Sequence, residues 1–190
     1  MKTTRLLAPE NVCLQVIDVQ KSLMAKIHEA EKVSATVELM IRCAGILGIP
    51  VLANTQYKKG LGPYVDNVAA LVAEVPQFDK VEFNALANGE TAAFIDGLPD
   101  SIRTIVLVGV ETHICIYQTA MGLLGKGKEV WIVSDGVSSR NVSDHREGLA
   151  RLQTAGVAIG SAEMLIYELL GKAGTPDFKK ILPYIIARNE

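Results

Sequence analysis

Three side chains of different chemistry stand where apolar runs end. Asp18 closes "VCLQVID", Lys80 lies in "FDKVEF", and Cys115 lies in "GVETHIC", directly after "TIVLV". A carboxylate, an ammonium and a thiol form a coherent set for covalent hydrolysis. The thiol must become a thiolate to attack. A nearby lysine and a helix N-terminus both favour that negative form. The aspartate can accept the thiol proton and later hand it to a leaving amine. Backbone N–H groups at the start of the next helix can hold a developing oxyanion. Each residue also has an ordinary reading: Cys115 as a small core hydrophobe, Asp18 as the cap of a turn at "VQKS", Lys80 as a solvated surface charge. His113 and His145 each have an ordinary place near a helix start, and the three histidines form no Cys-His dyad at meaningful spacing.

The elements around these residues decide whether they can meet. Short β-rich runs alternate with helical patterns. Strands are expected at 12–18, 50–55, 78–83, 103–110, 129–135 and 157–161. Between them, Val33, Val37, Met40, Ala44 and Leu47 mark one face of a helix over 29–48, stopped by Gly48 and Pro50. "QYKKGLGPY" (56–64) reads as a loop, followed by a short helix at 65–75. Further helices are expected at 91–98 with Asn88 as N-cap, at 114–125, and from an Asp144/Glu147 capping box to 155. Two more, at 161–171 and 175–186, finish the chain.

Strands separated by helices of this length imply right-handed crossovers and a parallel sheet. The expected architecture is α/β: a three-layer α/β/α sandwich with a mostly parallel, doubly wound sheet of about six strands, in one domain over residues 1–190. Ligands bind such sheets beyond the carboxyl ends of the strands, where strand order reverses. The first and fourth strands would be neighbours there, so Asp18 and Cys115 would face each other over one crevice.

The rest of the sequence narrows the function. The 190 residues are 49% hydrophobic and 21% charged, with a net charge of −2, so no basic stripe invites nucleic acid. Cys13, Cys43 and Cys115 lie far apart with no C-x-x-C, which argues against a zinc site or a disulfide framework. Cys13 reads as core and Cys43 as a partly buried, inert flank residue. The opening "MKTTRLLAPENVCL" is too short and too weakly apolar for a signal peptide, and no apolar run approaches the ~18 residues of a membrane span. A cytoplasmic protein with free thiols is expected. Neither G-x-G-x-x-G nor G-x-x-x-x-G-K-[ST] occurs.

With these residues in view, the chain resembles the isochorismatase-like cysteine hydrolases. "VIDVQ" is similar to the family's first-strand motif, "DKVEFNAL" to the segment with its lysine, "LVGVETHICIYQTA" to the nucleophile segment, and "VSDGVSSR" to the motif after the fifth strand. The matches fall in family order over roughly residues 10–160. The resemblance implies a catalytic triad of Asp18, Lys80 and Cys115 and a non-proline cis peptide between Val110 and Glu111. It also implies an oxyanion hole from the N–H groups of Glu111 and Cys115. Nicotinamidases of this family carry an Asp/His metal site after the second strand. Here "NTQYKKGLGPY" has neither residue before Asp66, so no metal, no other cofactor and no nicotinamide substrate is expected. Isochorismatases proper lack the nucleophilic cysteine, and the "TQYKKGLGP" loop looks most like the isochorismatase domain-containing subgroup, whose substrates are undefined.

The reading is therefore a hydrolase that cleaves an amide-like C–N bond, or a related acyl bond, of a small molecule through a thioester. Gln20, Gln56, Tyr57 and Tyr117 are candidates for the pocket wall. The family usually assembles as dimers or larger rings, so a homo-oligomer is expected. Two other readings stand beside it: a redox-active thiol protein, though no resolving cysteine lies near Cys115, and a non-catalytic interaction protein that keeps the fold.

Overall fold

A computed structural model of the chain describes residues 6–188. Residues 1–5, part of the opening stretch considered for a signal peptide, lie outside the described residues. The β-rich runs become β1 (Val12–Ile17), β2 (Val51–Gln56), β3 (Gln77–Lys80), β4 (Thr104–Val110), β5 (Glu129–Ser138) and β6 (Ala158–Gly160). They pair in parallel in the order β3-β2-β1-β4-β5-β6. The chain winds outward from β1 to β3, returns to place β4 beside β1, and winds outward again to β6. The connections leaving β1 and β4 diverge, which opens the crevice of a doubly wound sheet between them.

Both faces of the sheet are covered, which is why "VCLQVI" and "TIVLVGV" are buried along their whole length. One layer holds α1 (Lys21–Met24), α2 (Ala30–Leu47), α4 (Asp66–Val72), α8 (Ala162–Leu170) and α9 (Pro176–Arg188). The other holds α5 (Gly89–Asp96), α6 (Tyr117–Gly125) and α7 (Val142–Thr154). The two-residue alternation of β4 feeds both: Val106, Val108 and Val110 face the first layer, Ile105 and Leu107 the second. Gly48 ends α2 in the left-handed conformation, its N–H bonded back to Ala44 and Gly45.

A buried polar chain fixes the strand that carries Lys80. Gln15 on β1 donates to Asn54 Oδ1 (2.8 Å), and Asn54 Nδ2 donates to Thr91 Oγ1 (2.9 Å) at the start of α5. Asn88 caps α5 by accepting from Thr91 N–H (3.0 Å), and its own amide donates to Asp79 C=O (3.3 Å) on β3.

Several boundaries differ from the sequence reading. The loop 56–64 contains a short helix, α3 (Lys58–Leu61). β3 covers 77–80 rather than 78–83, because its sheet partner, β2, ends at Gln56 opposite Lys80. β5 runs on to Ser138: a register shift after Leu107 lets it rejoin β4 at Val137 and Ser138. α7 opens at Val142, with Asn141 rather than Asp144 in the N-cap place. The cap spacing is moved three residues upstream, and Asn141 Nδ2 donates to Asp144 Oδ2 (2.9 Å).

β1 and β4 pack so closely at the crevice that one position accepts only glycine. Gly109 pairs with Ile17, has φ +116°, and a Cβ there would lie 1.9 Å from Ile17 C=O. Gly45, on the exposed side of α2, has nothing within 4 Å of the same added atom. Gly109→Ala is therefore expected to cost at least about 3 kcal/mol in chemical denaturation. Gly45→Ala should stabilise by about 0.5–1 kcal/mol. Equal effects from the two substitutions would contradict this packing.

Candidate active site

Asp18 is the first residue beyond β1 and adopts a left-handed backbone, φ 56°, unusual outside glycine. Its N–H still donates to Asn54 C=O (3.0 Å), while its C=O accepts from Gln20 N–H (2.7 Å), so the chain turns sharply at the crevice. Lys80 ends β3, two strands away from β1. Neighbouring strands are ~4.8 Å apart, so the gap is roughly 10 Å and needs a long side chain. Lysine spans it: Nζ lies 2.8 Å from Asp18 Oδ2 and 2.7 Å from Gln56 Oε1, the latter on the strand in between. The side chains of Asp18 and Lys80 are both 0% exposed. An ammonium has three protons to donate. Two go to these oxygens, and the Cys115 thiol also interacts with Lys80 as well as with Asp18.

Cys115 arrives from the other side of the switch point. β4 ends at Val110, the Val110–Glu111 peptide is cis, and residues 112–116 form a single π-type turn ahead of α6. Such turns recur at functional sites. Glu111 C=O accepts from the N–H groups of both Ile114 (3.1 Å) and Ile116 (3.2 Å). Three side-chain contacts hold the turn from behind. Arg140 donates through N–H (2.9 Å) and Nε (3.1 Å) to Glu111 Oε2. Thr112 Oγ1 bonds His145 Nδ1 (2.9 Å), and His113 Nδ1 bonds Ser139 Oγ (2.8 Å). Gly148 on α7 lets the helix lie against the turn, since a Cβ there would be 3.0 Å from His113 Cα. Burial holds the His145 imidazole below its ordinary pKa, assisted by the charge of His28, so it meets Thr112 as a neutral ring at neutral pH.

Burial adds an effect that the motif does not show. Burial pushes the Cys115 thiol up to about 12, the Asp18 charge adds to that, and Lys80 only partly opposes it. The lysine favours the thiolate as expected, but burial and the facing carboxylate outweigh it at a thiol that is 7% exposed. Cys13 and Cys43 are also raised to about 12, by burial, but neither faces such a pair. Asp18 is itself raised by burial, against the charge and hydrogen bond of Lys80. The site sets the raised thiol beside a fully buried Asp18–Lys80 pair. It can pass a proton from sulfur to Asp18 as an electrophile arrives.

The other candidate residues take different places. Gln20 is buried and its amide is spent on backbone: Nε2 donates to Gln56 C=O (3.2 Å) and Gly62 C=O (2.8 Å), and Oε1 accepts from Gln56 N–H (2.7 Å). It braces the loop after β2. Gln56 orients Lys80 and donates to Val81 C=O (2.8 Å). Tyr57 is 51% exposed at the end of β2, its N–H on Lys80 C=O (2.8 Å). Tyr117 begins α6 with its ring under the Arg151 guanidinium, 4.8 Å from the centroid. Sequence reasoning missed Arg140, Ser139 and His145 as braces. Ser139 and Arg140 lie in the quoted "VSDGVSSR", but only the fold shows what they hold. Among the described residues, no group of three His, Cys, Asp or Glu side chains is arranged to hold a metal ion.

Because Asp18 raises the thiol and Lys80 lowers it, two substitutions should act oppositely on resting reactivity. With Cys13 and Cys43 replaced by Ala, Cys115 alkylation by iodoacetamide should rise with pH well beyond neutrality. Asp18→Asn should speed it at pH 7, and Lys80→Met should slow it. A fast, pH-independent reaction near pH 7 in the parent would contradict the raised thiol.

Comparison with known proteins gives the kinship. Residues 12–164 match the family model of the isochorismatase domain. The chain is 33% identical over 178 residues to the secreted isochorismatase effector Isc1 of Phytophthora sojae, covering 92% of this chain and 84% of that one. It is 35% identical over 175 residues to isochorismatase domain-containing protein 1 of Danio rerio, covering 92% of this chain and 61% of that one. The solved structure of the MAR1 ribonuclease from Caenorhabditis elegans superposes with a TM-score of 0.88 at 31% identity, covering 96% of this chain and 93% of that one. A domain match over most of the chain, relatives at this identity and the doubly wound sheet agree: the chain belongs to the isochorismatase-like hydrolase family.

Proposed function

We propose that this protein is a cysteine hydrolase cleaving an amide-like C–N bond, or a related acyl bond, of a small molecule through a thioester on Cys115. The observation that carries this reading is the placement of a thiol against a fully buried Asp18–Lys80 pair at the switch point. A buried ion pair is costly to desolvate and is weak evidence of stability alone. Here it supplies the base and the countercharge that a buried thiol needs.

In the first half-reaction the Cys115 proton passes to Asp18 while sulfur bonds the acyl carbon. The carbonyl oxygen becomes an oxyanion, received by the N–H groups of Glu111 and Cys115. One such donor is worth ~10²–10³ in rate. The C–N bond then breaks and Asp18 gives its proton to the leaving amine. In the second half, water loses a proton to Asp18 and adds to the thioester. The C–S bond breaks, and sulfur recovers the proton from Asp18. Lys80 supports the negative charge of Asp18 and of the thiolate in turn. The mechanism needs no cofactor and no metal. Gln56, Tyr57 and Tyr117 remain the pocket-wall candidates, and Gln20 contributes through the loop it braces.

Three settings belong to the same reading. The reaction unit is one domain over residues 1–190. Cys13, Cys43 and Cys115 are free thiols, as suits a reducing, cytoplasmic compartment, although the Phytophthora sojae relative is called secreted. Among the described residues no helix is long and apolar enough to cross a membrane. The protein works as a homo-oligomer, with Met164, Tyr167, Tyr184 and Ile186, exposed on α8 and α9, offered to further copies.

The test is a screen of primary amides, carbamoyl compounds and esters, with single-stranded RNA included because one relative is called a ribonuclease. A small acyl compound should be turned over. Cys115→Ala and Asp18→Asn should each lower kcat/KM by ~10³-fold or more while the protein stays folded. Full activity in Cys115→Ala, or turnover of RNA alone, would refute the thioester route.

A further inference from the structure

A cavity of about 310 Å³ lies over the carboxyl end of β5, at the small end of the range for small-molecule pockets. None of Asp18, Lys80 and Cys115 lines it. Its walls come from the link between α1 and α2, the start of α2, the second half of β5 and the start of α7. These walls are tied together. His28 N–H donates to Ser139 C=O (3.0 Å), and His28 C=O accepts from Ser138 Oγ (2.8 Å). On the α7 side, His145 Nδ1 is held by Thr112 Oγ1 (2.9 Å). The two acids on the wall are already matched. Glu29 pairs with Lys32 (3.7 Å), and Asp135 pairs with Arg188 and accepts from Ala162 N–H (2.8 Å). Four side-chain donors on the wall have no hydrogen-bond partner among the described residues: the Arg146 guanidinium, the His28 ring, His145 Nε2 and Ser134 Oγ. They come from three separate elements and converge on one space. Arg146 and His28 also act on His145 by charge, opposed by Glu29. The cavity therefore gathers donors and positive charge that its own acids do not satisfy.

We propose that this cavity is a second ligand site, which binds a small molecule through a phosphate group held by Arg146, His28, His145 and Ser134. The guanidinium fork of Arg146 presents parallel donors to two phosphate oxygens. A phosphate has a further oxygen for the donors that arrive from β5 and from the α1–α2 link, whereas a carboxylate is filled by the fork alone. The tautomer of His145 follows from its other contact. With Nδ1 accepting from the Thr112 hydroxyl, the neutral ring carries its proton on Nε2, the nitrogen left for the ligand. The site lies behind the turn that carries Cys115 and meets it through His145. It can therefore be filled while a substrate occupies the crevice between β1 and β4. The inference is independent of the thioester route, since no residue of that route takes part.

The test uses inorganic phosphate as the probe. Full-length protein labelled with 15N in its histidine rings is titrated with sodium phosphate at pH 7 and constant ionic strength, and the ring nitrogens are followed by NMR. The His28 and His145 signals should move together and saturate. Arg146→Gln removes an exposed side chain with no protein partner, so folding should be unaffected, and it should weaken phosphate binding by ~10-fold or more. Lys126→Gln, which removes an exposed charge paired with Asp96 at the end of α6, should leave the affinity unchanged. With phosphate bound, the protonation midpoint of His145 should rise by about one pH unit, because an anion beside the ring favours its charged form. Sodium acetate in place of phosphate should bind at least ~10-fold more weakly. The inference is overturned by shifts that fail to saturate below about 20 mM phosphate, or by equal affinity in the parent and Arg146→Gln. Acetate binding as tightly as phosphate overturns the assignment of a phosphate group.

Discussion

The buried pair between Lys80 and Asp18 sets the terms for the rest of the site. It joins β3 to β1 across β2, at the carboxyl ends of three strands, with neither side chain exposed. Removing one partner of such a pair costs ~3–5 kcal/mol, because the other charge is left buried and alone. Every nearby arrangement answers to that cost. Gln56 supplies a second acceptor to the ammonium from the intervening strand. The chain Gln15–Asn54–Thr91–Asn88 holds the strands in register below it. Gln20 ties down the loop that roofs β2.

The thiol belongs to a separately braced unit. The turn 111–116 hangs from β4 and is held by the end of β5 through Arg140 and Ser139 and by α7 through His145 and Gly148. Pair and thiol meet only because the doubly wound order puts β1 beside β4 and sends their connections apart. Where they meet the pKa of the thiol is held up, since burial and the carboxylate outweigh the lysine. A thiol kept protonated is slow to oxidise or alkylate. That weakens the redox-sensor alternative, which needs a standing thiolate. In the proposed mechanism it also makes Asp18 the group on which turnover depends, because attack requires an acceptor for the sulfur proton at the moment of contact.

Much of this was legible in the sequence, for physical reasons. A strand buried on both faces reads as a nearly continuous apolar run, so β1 and β4 could be placed and their ends searched for Asp18 and Cys115. A doubly wound order has a switch point, and the sequence pattern alone sets those two residues on either side of it. The Asn88 cap and the Gly48 stop are local, and both formed as expected. What failed depended on distant partners. The end of β3 is set by where β2 ends, and the length of β5 by a register shift against β4. The grip of Arg140 on Glu111 and of His145 on Thr112 links residues that no spacing rule connects. The net rise of the thiol could not be read from the sequence, because burial, its largest cause, is a property of the fold and not of the motif.

The proposed mechanism turns on a covalent bond between substrate and one sulfur. The most direct measurement is intact-protein mass spectrometry after acid quenching within the first turnovers on an accepted acyl substrate, followed by peptide mapping. The thioester route predicts a mass increase equal to the acyl fragment, located on the peptide containing Cys115 and released by neutral hydroxylamine. Turnover that leaves no adduct at any quench time, or an adduct on the peptide of Cys13 or Cys43 instead, would contradict it.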